Sequence, residues 1–434
     1  MQEADSSNWR RVLVTAVGTG NYSEVRYKLD DEVSSPNKFS SIALGEILSP
    51  HGEPLHVVAL WTRGARNNPN STHYVDYAKA VQAHGWSYQP LDIPEGMSEA
   101  ELWEIFEKIG HALEVNDSVI VDITHGFRSI PVVMVTALQY YRLNKPLSSL
   151  NVYYSAFLPS RPPEEATPVI SLDMILALAD WTYGAKLFEE RLVAAPLADQ
   201  IEQTQKRSHV DPSWQGQRLT RIKKVSTALK ELDRLLHNNL PIEAGIKASE
   251  LLQRAEEARA EFPSFPPIQD FWEKIERQAR SICVSIDPKE KHNYPLTADE
   301  LERQRKLIES YKRMGNILSG VTLMREWIVS AYVYALGKGD SWLDYDRTRR
   351  DAEADLNTFS RCRRNHVPLY FARDDQLMNE LIDAWDSTVK IRNELAHCGM
   401  KPEAVSGLEL NTDRLKNILE LIRQANAQTV WEGN

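Results

Sequence analysis

At 434 residues, with 42% hydrophobic and 26% charged side chains, the chain is long enough for two or three domains, at about 150 residues each. Its formal charge of -10 excludes a protein that coats nucleic acid through bulk electrostatics, so any RNA or DNA has to be held by a local basic patch. Three scattered cysteines, Cys283, Cys362 and Cys398, form no CxxC pair and suggest neither a disulfide framework nor a thiolate zinc site.

The N-terminal MQEADSSNWRR is polar and acidic where a signal peptide needs a basic start and an apolar run, and no apolar stretch approaches about 18 residues. The expectation is a cytoplasmic protein with no membrane segment. From there RVLVTAVGTG (11–20), LHVVALWT (55–62), SVIVDITHG (118–126) and LNVYYSAF (150–157) are near-continuous in apolar residues. Such runs predict buried parallel strands. The intervening SSIALGEIL, THYVDYAKAVQAHG, SEAELWEIFEKIGHALE and IPVVMVTALQYYRL carry helical spacing, and SEAE offers the Ser98 and Glu101 of a capping box. This alternation predicts an α/β doubly wound sheet.

PSRPPEEATP (159–168), with four prolines and two acids, marks a domain edge or a loop before a final short element. Beyond about residue 172 no strand pattern appears. DMILALADWTYGAKLFEERL, RLTRIKKVSTALKELDRLLHNN, GIKASELLQRAEEARAEF, the stretch from LERQRK to YVYALG (301–337) and DQLMNELIDAWDSTVKIRNELAH all have helical spacing, with SHVDPSWQGQ, FPSFPPIQ and SIDPKEKHNYPLT as loops. No repeat of fixed period is present. The expected organisation is an α/β domain over 1–172, a helical linker over 173–215, and an all-α region over 216–434.

In an open parallel sheet, ligands bind outside the carboxyl ends of the strands. Two loops there are rich in hydrogen-bond donors and free of acids. One is Gly18, Thr19, Gly20, Asn21 and Tyr22; the other is Thr124, His125, Gly126, Phe127, Arg128 and Ser129, with Pro131 in the first turn of the next helix. Neither GxGxxG nor GxxxxGK[ST] occurs, so the dinucleotide and P-loop readings fail on the letters. Together the loops suit a phosphate-bearing or otherwise anionic ligand. The structural alternative is a surface loop with a satisfied His125 and a solvated Arg128.

On a helix over 377–397, at about 100° per residue, Met378, Leu381, Trp385, Val389 and Ala396 form one stripe with Arg392 in its middle. Asn393 and His397, four apart, lie together on its flank. An arginine on an apolar stripe has to meet an acid, a second subunit or a phosphate, because burying it unpaired costs several kcal/mol. His397 falls in the last turn, before the stop signals Gly399 and Pro402, where a helix C-terminus favours the imidazolium. The structural alternative is a C-capping histidine with Arg392 paired to Asp383 or Asp386. The chemical one is RNA cleavage. RNA carries its own nucleophile, the 2′-hydroxyl, so a histidine for proton transfer and an arginine for phosphate charge suffice without metal. No HExxH, EF-hand or other metal-ligand spacing is present.

Arg392, Asn393 and His397 resemble the RNxxxH form of the Rx4-6H motif of HEPN ribonuclease domains, which are all-helical. VDITHGFRSIP, with VTAVGTGNY before it, resembles the CARF domain of CRISPR-associated proteins, a Rossmann-like module that senses cyclic oligoadenylate. Their order resembles that of the CARF-HEPN ancillary ribonucleases of type III CRISPR systems, across nearly the whole chain. The resemblance implies a catalytic pair in Arg392 and His397 with Asn393 assisting, and single-stranded RNA as substrate. It also implies a homodimer or higher homo-oligomer in which the stripe around Arg392 is shared, and no cofactor beyond the activator. That activator would lie in the GTGNY and THGFRS loops, with cyclic tetra-adenylate the ring it points to first. Thr62 and Arg63 are further candidates for the rim. A second Rx4H spacing, Arg361 and His366 beside Arg363 and Arg364, reads instead as a local basic patch or a solvated loop face. Two other functions stay open: a ligand-binding regulator whose helical half only dimerises or binds a partner, and a nucleotide-dependent enzyme working at the sheet's loops.

Overall fold

A computed structural model describes residues 9–49, 53–126, 129–160, 162, 164–210, 214, 217–264, 266–367, 375–398, 400 and 409–431. The chain divides into two compact units, Met1–Leu178 and Ala179–Asn434. Among the described residues no helix is long and apolar enough to cross a membrane.

The first unit runs β1 (Arg11–Val17), β2 (Tyr27–Leu29), β3 (Glu32–Val33), α1 (Ser40–Leu48), β4 (His56–Thr62), α2 (Arg63–Arg66), α3 (His73–Ala83), β5 (Ser87–Ile93), α4 (Glu99–Ala112), β6 (Ser118–Asp122), α5 (Ser129–Asn144), β7 (Ser149–Ser155) and β8 (Thr167–Ser171). The strands form one sheet in the order β3-β2-β8-β7-β6-β1-β4-β5. From β7 to β5 every pairing is parallel, while β8 and β3 run antiparallel to β7 and β2. On β1, Val12, Val14 and Ala16 point to the face covered by α4 and α5. Leu13 and Val17 point to the opposite face, against α1 and α3. This two-sided burial is why the central strands read as continuous apolar runs rather than as alternation.

The capping box before α4 forms as expected: Ser98 accepts from the Glu101 N–H at 3.3 Å, and Glu101 reaches back to the Met97 N–H at 2.9 Å. Strand β5 is an addition. SYQPLDI has no apolar run and contains Pro90, which an edge strand tolerates because one side of its backbone has no neighbour. β8 is the short element after the proline-rich segment.

The second unit is helical: α6 (Asp173–Arg191), which spans the boundary, α7 (Ala195–Val210), α8 (Ile222–His237), α9 (Pro241–Ala258), α10 (Pro266–Ile282), α11 (Ala298–Arg313), α12 (Ile317–Ala335), α13 (Arg350–Arg364), α14 (Asp375–Ala396) and α15 (Thr412–Trp431). The expected continuous helix over 301–337 is broken. Gly315 takes φ +74°, and the Asn316 side chain accepts from the Ser319 N–H at 3.3 Å, which ends α11 and starts α12. Pro266 and Pro267 open α10, so FPSFPPIQ is part helix rather than all loop. Buried Glu261 caps α8 from a distance, accepting from the N–H groups of Thr220, Arg221 and Ile222 at 2.9–3.1 Å. Buried Arg349 ties the turn before α13 to α12, donating to Ser330 Oγ at 3.0 Å and Glu326 Oε2 at 2.7 Å.

Candidate functional site

Chain direction sets the first site. After β1 the chain makes β2 and β3 at the far edge, returns to β4 and β5 on one side of β1, and then crosses to β6 and β7 on the other. The carboxyl ends of β1 and β6 therefore flank the switch point of the sheet, where a crevice opens. Gly18, Thr19, Gly20 and Tyr22 from the first loop, with Thr124, His125 and Gly126 from the second, line one cavity there of about 280 Å³. Asn21 and Ser129 are not among the lining residues, and Phe127 and Arg128 lie outside the described residues. Gly126 has φ +108°, and a Cβ there would stand 3.1 Å from the Ala16 Cβ. Only glycine lets the second loop approach β1 so closely.

Asp122, almost fully buried at the end of β6, pins that loop. Its carboxylate accepts from the Thr124 N–H at 3.0 Å and from the Thr124 hydroxyl. It also accepts from Ser40 Oγ at 2.5 Å and Thr15 Oγ1 at 3.4 Å. Thr124 Oγ1 in turn accepts from the Ser155 N–H at 2.9 Å. No sequence argument pointed to this aspartate, although its place at the end of an apolar run was a usable signal.

Three rings are in contact at the cavity. Tyr22 stacks on His73, with centroids 4.6 Å apart, and meets His125 at a tilt, with centroids 4.3 Å apart, and Phe39 is edge-on to Tyr22 at 5.8 Å. The Tyr22 hydroxyl accepts from the Gly18 N–H at 2.8 Å, and burial pushes its pKa up to about 12. His73 Nε2 meets the Gly20 carbonyl at 2.8 Å. Since a carbonyl only accepts, Nε2 carries the proton. His73 Nδ1 and His125 Nε2 are both buried without a partner. Burial holds His125 below the usual imidazole range; Asp122 opposes that shift and His73 adds to it. His125 is thus not the satisfied histidine of the structural alternative. His73 had no sequence signal, since it comes from α3 and meets the loops only in the fold.

The two rim candidates separate. Thr62 lines the cavity, but its hydroxyl accepts from the Ala65 N–H at 3.2 Å and starts α2. Arg63 lines a different cleft of about 900 Å³, whose walls also include Arg66, Asp92, Glu95 and Glu101.

The second candidate site is the end of α14, and here the expectation needs correction. Leu377, Met378, Leu381, Ile382, Ala384, Trp385 and Thr388 are buried. The covered face stops there: Val389 is half-buried, while Arg392, Ala396 and His397 are exposed. Within one chain Arg392 therefore does not sit on a buried apolar stripe. Its guanidinium reaches Asn393 Oδ1 at 3.4 Å. Pairing with a core acid is also ruled out: Asp383 holds Arg363 and, at 3.2 Å, Arg414, and Asp386 holds Ser360. Asn393 and His397 project within about 40° of each other, so Asn393 lies between the other two. Cys398, with φ +52°, takes the left-handed position after the helix; Gly399 and Pro402 lie outside the described residues.

The other Rx4H spacing is at the opposite end of the same helix pair. Contacts of Arg363 with Asp383 and Ser360 with Asp386 make α13 and α14 antiparallel. His366 thus falls opposite residue 380, about 25 Å along the axis from His397 at about 1.5 Å per residue. The arginine cluster is only partly open as a basic patch, since Arg363 is neutralised by Asp383 and Arg364 donates to Ser360 Oγ at 3.1 Å. Among the described residues no group of three or more His, Cys, Asp or Glu could hold a metal ion.

No family model matches the chain. A stretch of 151 residues, 32% of the chain, is 29% identical to the CRISPR-associated protein MJ1674 of Methanocaldococcus jannaschii. The match spans about a quarter of that protein, 24% of its length. The likeness is thus to a CRISPR-associated protein, and it covers about a third of this chain.

Proposed function

We propose that the chain is a ligand-gated endoribonuclease of type III CRISPR defence, with a CARF-like sensor in its first unit and a HEPN-like nuclease in its second. The observation that carries the reading is the single cavity built by the GTGNY and THG loops at the switch point of the sheet. Backbone N–H groups and hydroxyls at strand ends suit the phosphates of a cyclic oligoadenylate, cyclic tetra-adenylate before the hexa-adenylate. The partial match to a CRISPR-associated protein supports the biological setting.

In the helical unit the exposed Arg392 and His397, with the half-buried Asn393, would carry the chemistry. The 2′-oxygen of the RNA attacks phosphorus, the bond from phosphorus to the 5′-oxygen breaks, and the leaving oxygen takes a proton. His397 moves that proton and Arg392 steadies the charge on the phosphate oxygens, leaving 2′,3′-cyclic phosphate and 5′-hydroxyl ends. The uncovered end of α14 would meet its counterpart in a second copy, so that two sets of these residues face one RNA strand.

The test is cleavage of a fluorescent single-stranded RNA in EDTA, with cyclic tetra-adenylate, cyclic hexa-adenylate or no ligand. Ligand-dependent cutting that disappears in His397→Ala supports sensor, catalyst and metal independence together. A binding-only regulator is the second reading, favoured by the lack of any acid or base in contact with Arg392 among the described residues. Ligand binding without cutting in any arm selects it.

A further inference from the structure

The line along which α13 and α14 meet leads from the helical core to a second arginine beside Arg392. Trp385 Nε1 on α14 donates to Asn357 Oδ1 on α13 at 3.2 Å, and the two helices run antiparallel. Seven residues of α-helix advance about 10 Å and fall only about 20° short of two full turns. Seven residues on from Trp385 is Arg392; seven residues back from Asn357 is Arg350, the first residue of α13. The two arginines therefore stand at one level, on the stripes by which the helices meet. Both are exposed, so at that level the seam is open to solvent.

The start of α13 is held firmly. The Asp344 carbonyl accepts from the N–H groups of Thr348 and Arg349 at 3.1 and 3.0 Å, and the Asp344 carboxylate accepts from the Arg347 N–H at 3.1 Å. Buried Arg349 donates to the Trp342 carbonyl at 3.2 Å, besides its bonds to Ser330 and Glu326. The acids around the two arginines are engaged or turned aside. Glu353, one turn along α13 from Arg350, is paired with Arg325 at 2.8 Å, and that guanidinium lies 5.3 Å from the centre of the Trp385 ring. Asp351 is rotated by about 100° from Arg350, and Glu394 by about 160° from Arg392. Asp346, exposed one turn before Arg350, forms no ion pair with it among the described residues.

We propose that Arg350 is a phosphate-binding residue of the RNA site, gripping the phosphodiester chain across the groove from Arg392. Two guanidinium groups on facing stripes repel each other, and an anion between them turns that repulsion into attraction. Each presents a planar fork of N–H donors that fits a pair of phosphate oxygens. The anchored turn before α13 fixes where Arg350 starts, while His397 at the end of α14 stays free to move the proton. This inference deepens the nuclease reading above and rests on it for the identity of the strand.

The test separates binding from cutting. A fluorescein-labelled single-stranded RNA, fully 2′-O-methylated, lacks the attacking hydroxyl. Its binding to the full chain is followed by anisotropy over a series of salt concentrations, with cyclic tetra-adenylate and then cyclic hexa-adenylate present. Unmodified RNA in EDTA gives kcat and KM, and circular dichroism checks that each variant is folded. Arg350→Gln should weaken binding about tenfold at low salt and lower the slope of log affinity against log salt by about 0.7, the value for one phosphate contact on a single strand. Arg350→Lys should recover the slope. Arg350→Gln combined with Arg392→Gln should lose less than the sum of the two single losses, because the arginines share a phosphate. Arg361→Gln, on the same stripe of α13 about 16 Å away, should bind as wild type does. Affinity of Arg350→Gln within about twofold of wild type with an unchanged slope overturns the proposal; Arg350→Ala takes its place if the glutamine variant is unfolded. An equal fall in Arg361→Gln overturns it too, by marking a diffuse effect of charge. Wild type that binds RNA but never cuts it removes the nuclease reading and leaves the phosphate groove standing. Wild type that binds no RNA with either ring removes both.

Discussion

Replacing Asp122 by alanine should loosen the ligand loop more than it destabilises the protein. The carboxylate accepts from one backbone N–H and three hydroxyls, in a site almost closed to water. The hydroxyls of Thr15, Ser40 and Thr124 can rotate and share donors among themselves, whereas the Thr124 N–H cannot. One orphaned buried donor costs about 1–3 kcal/mol, and the lost charge-assisted bonds bring the expected loss to about 2–4 kcal/mol. Urea unfolding of the first unit measures that loss, and hydrogen exchange at the amides of Thr124 and Ser155 localises it. Exchange there should rise far more than in β1 or β4, and affinity for the proposed ligand should fall at least tenfold. A loss below about 0.5 kcal/mol with unchanged exchange would refute the view that Asp122 holds the loop in place.

At the end of α14, Arg392→Ala and His397→Ala should each lower the proposed RNA cleavage by about 10²–10⁴. The paired control Arg361→Ala with His366→Ala, whose histidine lies about 25 Å from His397 along the helix pair, should leave it within about threefold; the reverse outcome would move the site to α13. Gly126→Ala should cost about 1–3 kcal/mol, given its φ of +108° and the 3.1 Å approach to Ala16, and should abolish ligand binding in a calorimetric titration. Glu261→Gln tests the cap on α8. Burial pushes this carboxyl up, but the N–H groups of Arg221, Ile222 and Thr220 and the Thr220 hydroxyl together outweigh it and hold the pKa below the usual range. The stabilisation is therefore present above the unfolded-state carboxyl pKa of about 4.3 and is lost as pH falls through the lower folded value. At pH 7 the variant should be about 2–3 kcal/mol less stable, and wild type and variant should converge in acid. A gap that stays constant down to pH 2 would count against a charged cap.

The strands at the centre of the sheet, β1, β4, β6 and β7, were legible because a strand buried on both faces has to be apolar almost throughout, and that demand is written locally. The glycine loops after β1 and β6 were legible for a similar reason: they combine glycines and hydrogen-bond donors that ordinary loops do not need, and the fold brings both to one cavity. Sequence alone thus determined an α/β unit followed by a helical one, with a donor-rich crevice in the first. Tertiary structure decided what periodicity does not encode. β5 is a strand because it completes an edge, despite Pro90. The apolar stripe of α14 is fully buried only as far as Thr388, and Arg392 is left exposed. His73 and Asp122 join the candidate site because α3 and β6 bring them to the loops that line the cavity. Burial and pairing are relations between segments far apart in the chain, so they appear only when the chain has folded.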